Sequence, residues 1–157
     1  MFTATLSVRS LLFVLGLVGL VLLGAVDSRA TEYRVDITED ILTFPPDPRI
    51  SLRSALIRAN SNPGTDEIIL PAGTYTLKIA GIDPPESASH GDLDIFDSVT
   101  ITGAGPDKTI IDGKDLNDRI FHLPYDGYGP RINVLISNLT IQNGKLTATD
   151  ANVGGGG

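Results

Sequence analysis

Cysteine and tryptophan are absent from the 157 residues, and methionine occurs once. Without cysteine there is no disulfide, no thiolate metal site and no thiol nucleophile, so packing alone must hold the fold. Positive charge is scarce: 12 Lys and Arg stand against 19 Asp and Glu, a net charge of −7. Nucleic acid and anionic membrane surfaces call for the opposite sign, which excludes both as favoured partners. Helical periodicity is nearly missing as well, which argues against alternating strands and helices and so against a βαβ sheet.

The first thirty residues stand apart from the fold. Leu11 to Val26 runs for 16 residues without a polar side chain, short of the roughly 20 that a bilayer-spanning helix needs. Arg9 precedes the run, and Ser28-Arg29-Ala30 follows with small residues where a signal peptidase reads them. Residues 1–30 therefore read as a removable signal peptide, with a retained N-terminal anchor as the alternative. Cleavage after Ala30 removes Arg9, Asp27 and Arg29, leaving 10 basic against 18 acidic side chains, or −8. The expected location is secreted, extracellular or cell-surface, with no membrane span after cleavage.

Residues 31–50 form an opening strand and linker: Tyr33, Val35 and Ile37 alternate with Arg34, Asp36 and Thr38, and Pro45-Pro46-Asp47-Pro48 then forbids regular structure. Over residues 51–62 the pattern predicts one helix. Ser51 is its N-cap, and Leu52, Ala55, Leu56 and Ala59 make one apolar stripe that leaves Arg53 and Arg58 outside it. A lone amphipathic helix ahead of many strands suits the open end of a stack, where apolar side chains and strand edges need a cover.

From residue 63 to 157 short aliphatic and Thr-rich strands alternate with turns. The strands are expected near Glu67–Leu70, Thr74–Ile79, Leu93–Ile95, Val99–Thr102, Thr109–Ile111, Ile120–Leu123, Ile132–Ile136 and Leu139–Gln142. Val99-Thr-Ile-Thr-Gly103 and Leu139-Thr-Ile-Gln-Asn-Gly144 are near copies 40 positions apart, with Phe121 midway between Ile101 and Ile141. That spacing suggests stacked coils of about 20 residues, with Leu77, Ile95, Val99, Ile101, Phe121, Ile136, Leu139 and Ile141 inward. A β-sandwich with a turn every 8 to 12 residues is the competing architecture.

Ser51-Leu-Arg-Ser-Ala-Leu-Ile-Arg-Ala-Asn60, Pro63-Gly64 and Ile68-Ile-Leu-Pro-Ala-Gly-Thr-Tyr-Thr-Leu77 together resemble the CSLREA domain. The resemblance continues through Gly91-Asp-Leu-Asp-Ile95, Val99-Thr-Ile-Thr-Gly-Ala-Gly105, Thr109-Ile-Ile-Asp-Gly113, Arg119-Ile-Phe-His122 and Leu139-Thr-Ile-Gln-Asn-Gly144. It implies an all-β fold, a right-handed parallel β-helix of the pectate-lyase-like class, with an N-terminal capping helix and an exported location. It implies no particular reaction. Two positions depart from the family pattern: Ile50 replaces its Cys, and Ser54 replaces a Glu that would complete a capping box with Ser51. A weaker helix start is expected from the second change. Gly154 to Gly157 follows directly on a turn, so the β-helix is expected to be incomplete at the C-terminus, with further coils downstream.

Candidate chemistry gathers between Gly91 and Gly127, where Asp92, Asp94, Asp97, Asp107, Asp112, Asp115, Asp118 and Asp126 fall. Asp92 and Asp94 share a strand face and are the candidate calcium ligands, since stacked coils can converge hard oxygens on one ion. The competing reading is that Asp suits turns and keeps an outer face soluble. No EF-hand or nonapeptide calcium repeat is present, and no motif calls for another cofactor. His90 and His122 lack a sequence-adjacent third ligand for zinc. Arg119 and Arg131 are candidates for a lyase base or substrate clamps, set against solvated ion pairs. Tyr125-Asp-Gly-Tyr128 suits either sugar stacking or loop packing, and Gly103-Ala-Gly105 is no phosphate loop because no helix follows. Asn138-Leu-Thr140 matches a glycosylation sequon within an expected strand, and Asn143 before Gly144 suits the left-handed region.

No spacing forces an acid and a base together. The chain therefore reads as an exported, non-catalytic β-helix module, structural or adhesin-like, with a polysaccharide or cell-surface ligand as partner. The alternative is a polysaccharide lyase or glycoside hydrolase of the pectate-lyase-like class whose active-site coils lie mostly outside this chain.

Overall fold

The computed structural model describes residues 29–81, 87–123 and 131–145. Most of the expected signal peptide, Asp126, the Tyr125 to Tyr128 loop and the Gly154 to Gly157 end lie outside the described residues. Within them the fold is all-β apart from one short helix, and every strand pairing is parallel.

Nine strands make three sheets. The first sheet holds β1 (Glu32–Arg34), β2 (Asp66–Leu70), β5 (Val99–Gly103) and β8 (Val134–Ser137), in that order. The second holds β3 (Gly73–Thr76), β6 (Thr109–Asp112) and β9 (Thr140–Gln142), and the third pairs β4 (Leu93–Asp94) with β7 (Phe121–His122). From β2 onward the chain visits first, second and third sheet in turn, then returns to the first. Each return sets a strand beside the one laid down a circuit earlier. Parallel neighbours need such long crossovers, and from β2 onward strands and turns supply them without a helix.

Register places like on like. Ile68, Ile101 and Ile136 form one column across β2, β5 and β8, and Tyr75, Ile111 and Ile141 form another across β3, β6 and β9. Side chains alternate across a strand, so every second residue of a strand can face one interior. Leu56, Ile68, Leu70, Leu77, Leu93, Ile95, Ile101 and Ile111 are fully buried there. Of the positions expected inward, Leu77, Ile95, Val99 and Ile101 are buried, while Phe121, Ile136 and Leu139 are half-buried. Ile141 is 46% exposed: it continues the column of buried Ile111, but no described strand lies beyond β9.

The repeat differs from the 20-residue spacing suggested by the near copies. Asp66 pairs with Val99 and Val99 with Val134, spacings of 33 and 35 positions. Ile101, Phe121 and Ile141 lie on three different sheets, and the near copies on two. Their likeness reflects what any half-buried strand ending in a turn requires, Thr outward and an aliphatic side chain inward, rather than equivalent places in a circuit.

The helix α1 (Leu52–Asn60) forms where expected. The Ser51 hydroxyl caps it, accepting from the Ser54 amide at 3.1 Å. Leu52, Ala55, Leu56 and Ala59 are buried, and the helix lies against β1 and β2. Arg53 is not outside the apolar stripe but wholly buried. Its Nε donates to Asp40 Oδ1 at 2.7 Å, and its remaining N–H groups reach Asp40 Oδ2 and the carbonyls of Ala88 and Gly91. A buried guanidinium is tolerable when its charge is paired and its fork is filled. Ser54 has taken a different task from the Glu it replaces: its hydroxyl accepts from the Thr43 amide at 2.7 Å and ties the 41–43 loop to the helix.

Candidate functional site

The third sheet is only two residues wide, yet it carries the densest charge chemistry among the described residues. Leu93 pairs with Phe121 and Asp94 with His122, so Asp94 and His122 are direct cross-strand neighbours. His122 Nδ1 lies 2.6 Å from Asp94 Oδ1. Asp92, two residues back and so on the same face as Asp94, forms an ion pair with Arg119 through Oδ2. One ligand atom from each of Asp92, Asp94 and His122 lies within 4.8 Å of the others.

Both acids are buried, Asp92 to 1% and Asp94 to 4% exposure, while His122 and Arg119 remain about a third open to solvent. Asp92 Oδ1 is buried and has no hydrogen-bond partner. Burial and the neighbouring Asp92 charge push the Asp94 carboxyl above the usual carboxylate range, outweighing the hydrogen bond and charge of His122 and the charge of Arg119.

Helix α1 braces the strand from behind. Besides Ala88 and Gly91, Arg53 Nη1 approaches the Asp92 carbonyl at 3.4 Å. At the other end of the helix, Asn60 donates to the Asp94 carbonyl at 2.8 Å and accepts from the Phe96 amide at 2.9 Å. Backbone groups on both sides of the acids are thus fixed to one rigid element, the kind of support that keeps side chains preorganised. Arg53 and Asn60 are the residues that sequence reasoning missed. The only signal was an Arg on a helix flank with an Asp 13 positions earlier.

The other candidates do not join this cluster. Asp97 accepts from the adjacent Ser98 amide and from the distant Gly64 amide, tying two loops together, and Asp118 accepts from the Arg119 amide. Asp112 is held below the usual carboxylate range, chiefly by Asn143 and further by the Lys114 amide and Gln142, against the effect of burial. Asp107, Asp115 and Arg131 are exposed. His90 is exposed and shares a 3.0 Å hydrogen bond with Ser89 Oγ. Asn143 adopts φ 60°, as its place before Gly144 suggests, and Asn138 sits at φ 56° in the turn between β8 and β9 rather than within a strand. Among the described residues no helix is long and apolar enough to cross a membrane.

No protein-family model matches this chain, and comparison with curated proteins and with solved structures finds no match.

Proposed function

We propose that this chain is an exported right-handed parallel β-helix of the CSLREA type, a non-catalytic structural or adhesin-like module that engages a polysaccharide or cell-surface ligand. One observation carries the reading: the chain visits three parallel sheets in fixed rotation, with each circuit in register on the last. That is the connectivity a solenoid requires, and a sandwich of antiparallel hairpins does not have it. The single helix set between β1 and β2, the leader-like first thirty residues and the excess of acid suit an exported module that avoids nucleic acid.

A second reading, a polysaccharide lyase or glycoside hydrolase, is favoured by the Asp94 to His122 hydrogen bond beside Arg119. A carboxylate-oriented imidazole next to a guanidinium is a usable base with an anion clamp. One experiment separates the two. The chain is expressed with its first thirty residues intact, and exported material is recovered. Mass spectrometry should find Thr31 at the N-terminus, and the exported protein should release neither unsaturated nor new reducing sugar from polygalacturonate, with or without Ca²⁺. An intact Met1 overturns the export reading, and product formation lost in His122→Gln overturns the non-catalytic one.

A further inference from the structure

We propose that Asp92, Asp94 and His122 bind a single divalent cation of the zinc class on the third sheet. The geometry is close to a finished site. Zinc holds oxygen and nitrogen donors at about 2.0–2.2 Å, so donors across one ion sit no more than roughly 4.4 Å apart. The three side chains already place one ligand atom each within 4.8 Å of the others, so small rotations close them on a common centre. His122 Nδ1 and Asp94 Oδ1, at 2.6 Å, would move slightly apart as the ion replaces the proton between them.

A second, independent observation points to a ligand. Asp92 Oδ1 is buried without a hydrogen-bond partner, on a side chain that is 1% exposed. An orphaned carboxylate oxygen is costly in a folded interior and calls for an ion or another group to meet it. Arg119 occupies the other oxygen of the same carboxylate, which leaves Oδ1 as the oxygen an ion would meet. The backbone of the acid-bearing strand is fixed through Arg53 and Asn60, and the solvent-open edge of His122 gives a small cation its path.

Donor chemistry selects the ion. Calcium takes six to eight oxygens in a flexible shell, and this site brings two carboxylates and an imidazole nitrogen. Nitrogen with carboxylate oxygen suits zinc and its neighbours in the first transition row. Three protein ligands leave a fourth position for water.

The test is a zinc titration of the full chain, made without a histidine tag, by calorimetry and by proton NMR of the imidazoles. The chain has two histidines, His90 and His122, so His90 is an internal control. The expected result is one Zn²⁺ per chain, with the resonances of His122 moving and those of His90 still. Zinc affinity should fall at least tenfold in His122→Gln and in Asp94→Asn, and Ca²⁺ should bind at least tenfold more weakly than Zn²⁺. His122 is a third exposed, so H122Q keeps the test decisive even if D94N fails to fold. Absence of binding, binding unchanged by H122Q, equal movement of both histidines, or Ca²⁺ bound as tightly as Zn²⁺ would each overturn the proposal.

Discussion

Asp40 shows how one carboxylate can hold several segments together. It sits in the linker before α1, yet its oxygens accept from Arg53 and from the Lys78 and Ile79 amides. Burial alone would raise its pKa; the hydrogen bond and charge of Arg53, with the two amides, outweigh that and hold it below the usual carboxylate range. A depressed folded-state pKa contributes stability that is present above the unfolded value of about 3.9 and is lost as pH falls through the lower folded one. Asp40→Asn leaves Arg53 buried without its countercharge, which should cost about 3–5 kcal/mol near pH 7. Urea unfolding should show the gap between native chain and variant narrowing as pH drops below about 4. A gap independent of pH would show that the ionised carboxylate is not what stabilises. None of this was legible in the sequence, because the partners of Arg53 lie 13 to 39 positions away.

At the scale of the element, most strands were readable and their partners were not. Alternating aliphatic and Thr positions mark β5, short aliphatic runs closed by turn residues mark β2 and β6, and Ser51 marks the start of α1. The near copies misled because strand chemistry repeats more often than position in the circuit does. In the candidate site, Asp92 and Asp94 could be paired by their spacing of two, but His122 joins them only through register across 28 positions. Glycine at the end of β5 is a further case of long-range demand. A Cβ on Gly103 would lie 2.3 Å from the Asn138 carbonyl oxygen and 2.8 Å from Leu139 Cβ. That carbonyl also accepts from the Gly105 amide at 2.8 Å, so it cannot easily retreat. Gly103→Ala should therefore destabilise by about 1–3 kcal/mol through overpacking. Thermal melting that is unchanged in this variant would show that the turn between β8 and β9 yields freely.

Over the described fold as a whole, stability should be graded across the first sheet. β2 and β5 have a strand on both sides, whereas β1 and β8 close the first sheet at its edges. Burial follows the same order, complete at Ile68 and Ile101 and partial at Ile136. Native-state hydrogen exchange should find the slowest amides in β2 and β5 and faster exchange in β8 and β9. Uniform protection across the nine described strands would mean that they open only as one unit.

The unequal circuits have an evolutionary side. Paired positions within the strands are separated by anything from 28 residues, Leu93 to Phe121, to 36, Gly73 to Thr109, while the pairings themselves stay in register. Length variation has been absorbed in the connections, where a doubled loop costs only about 0.6 kcal/mol in closure entropy. A single residue lost inside Val99–Gly103 is a different event, because it exchanges the inward and outward faces of everything beyond it in the strand. Insertions and deletions are therefore free to diversify the flanks of this molecule while its strands admit substitution alone.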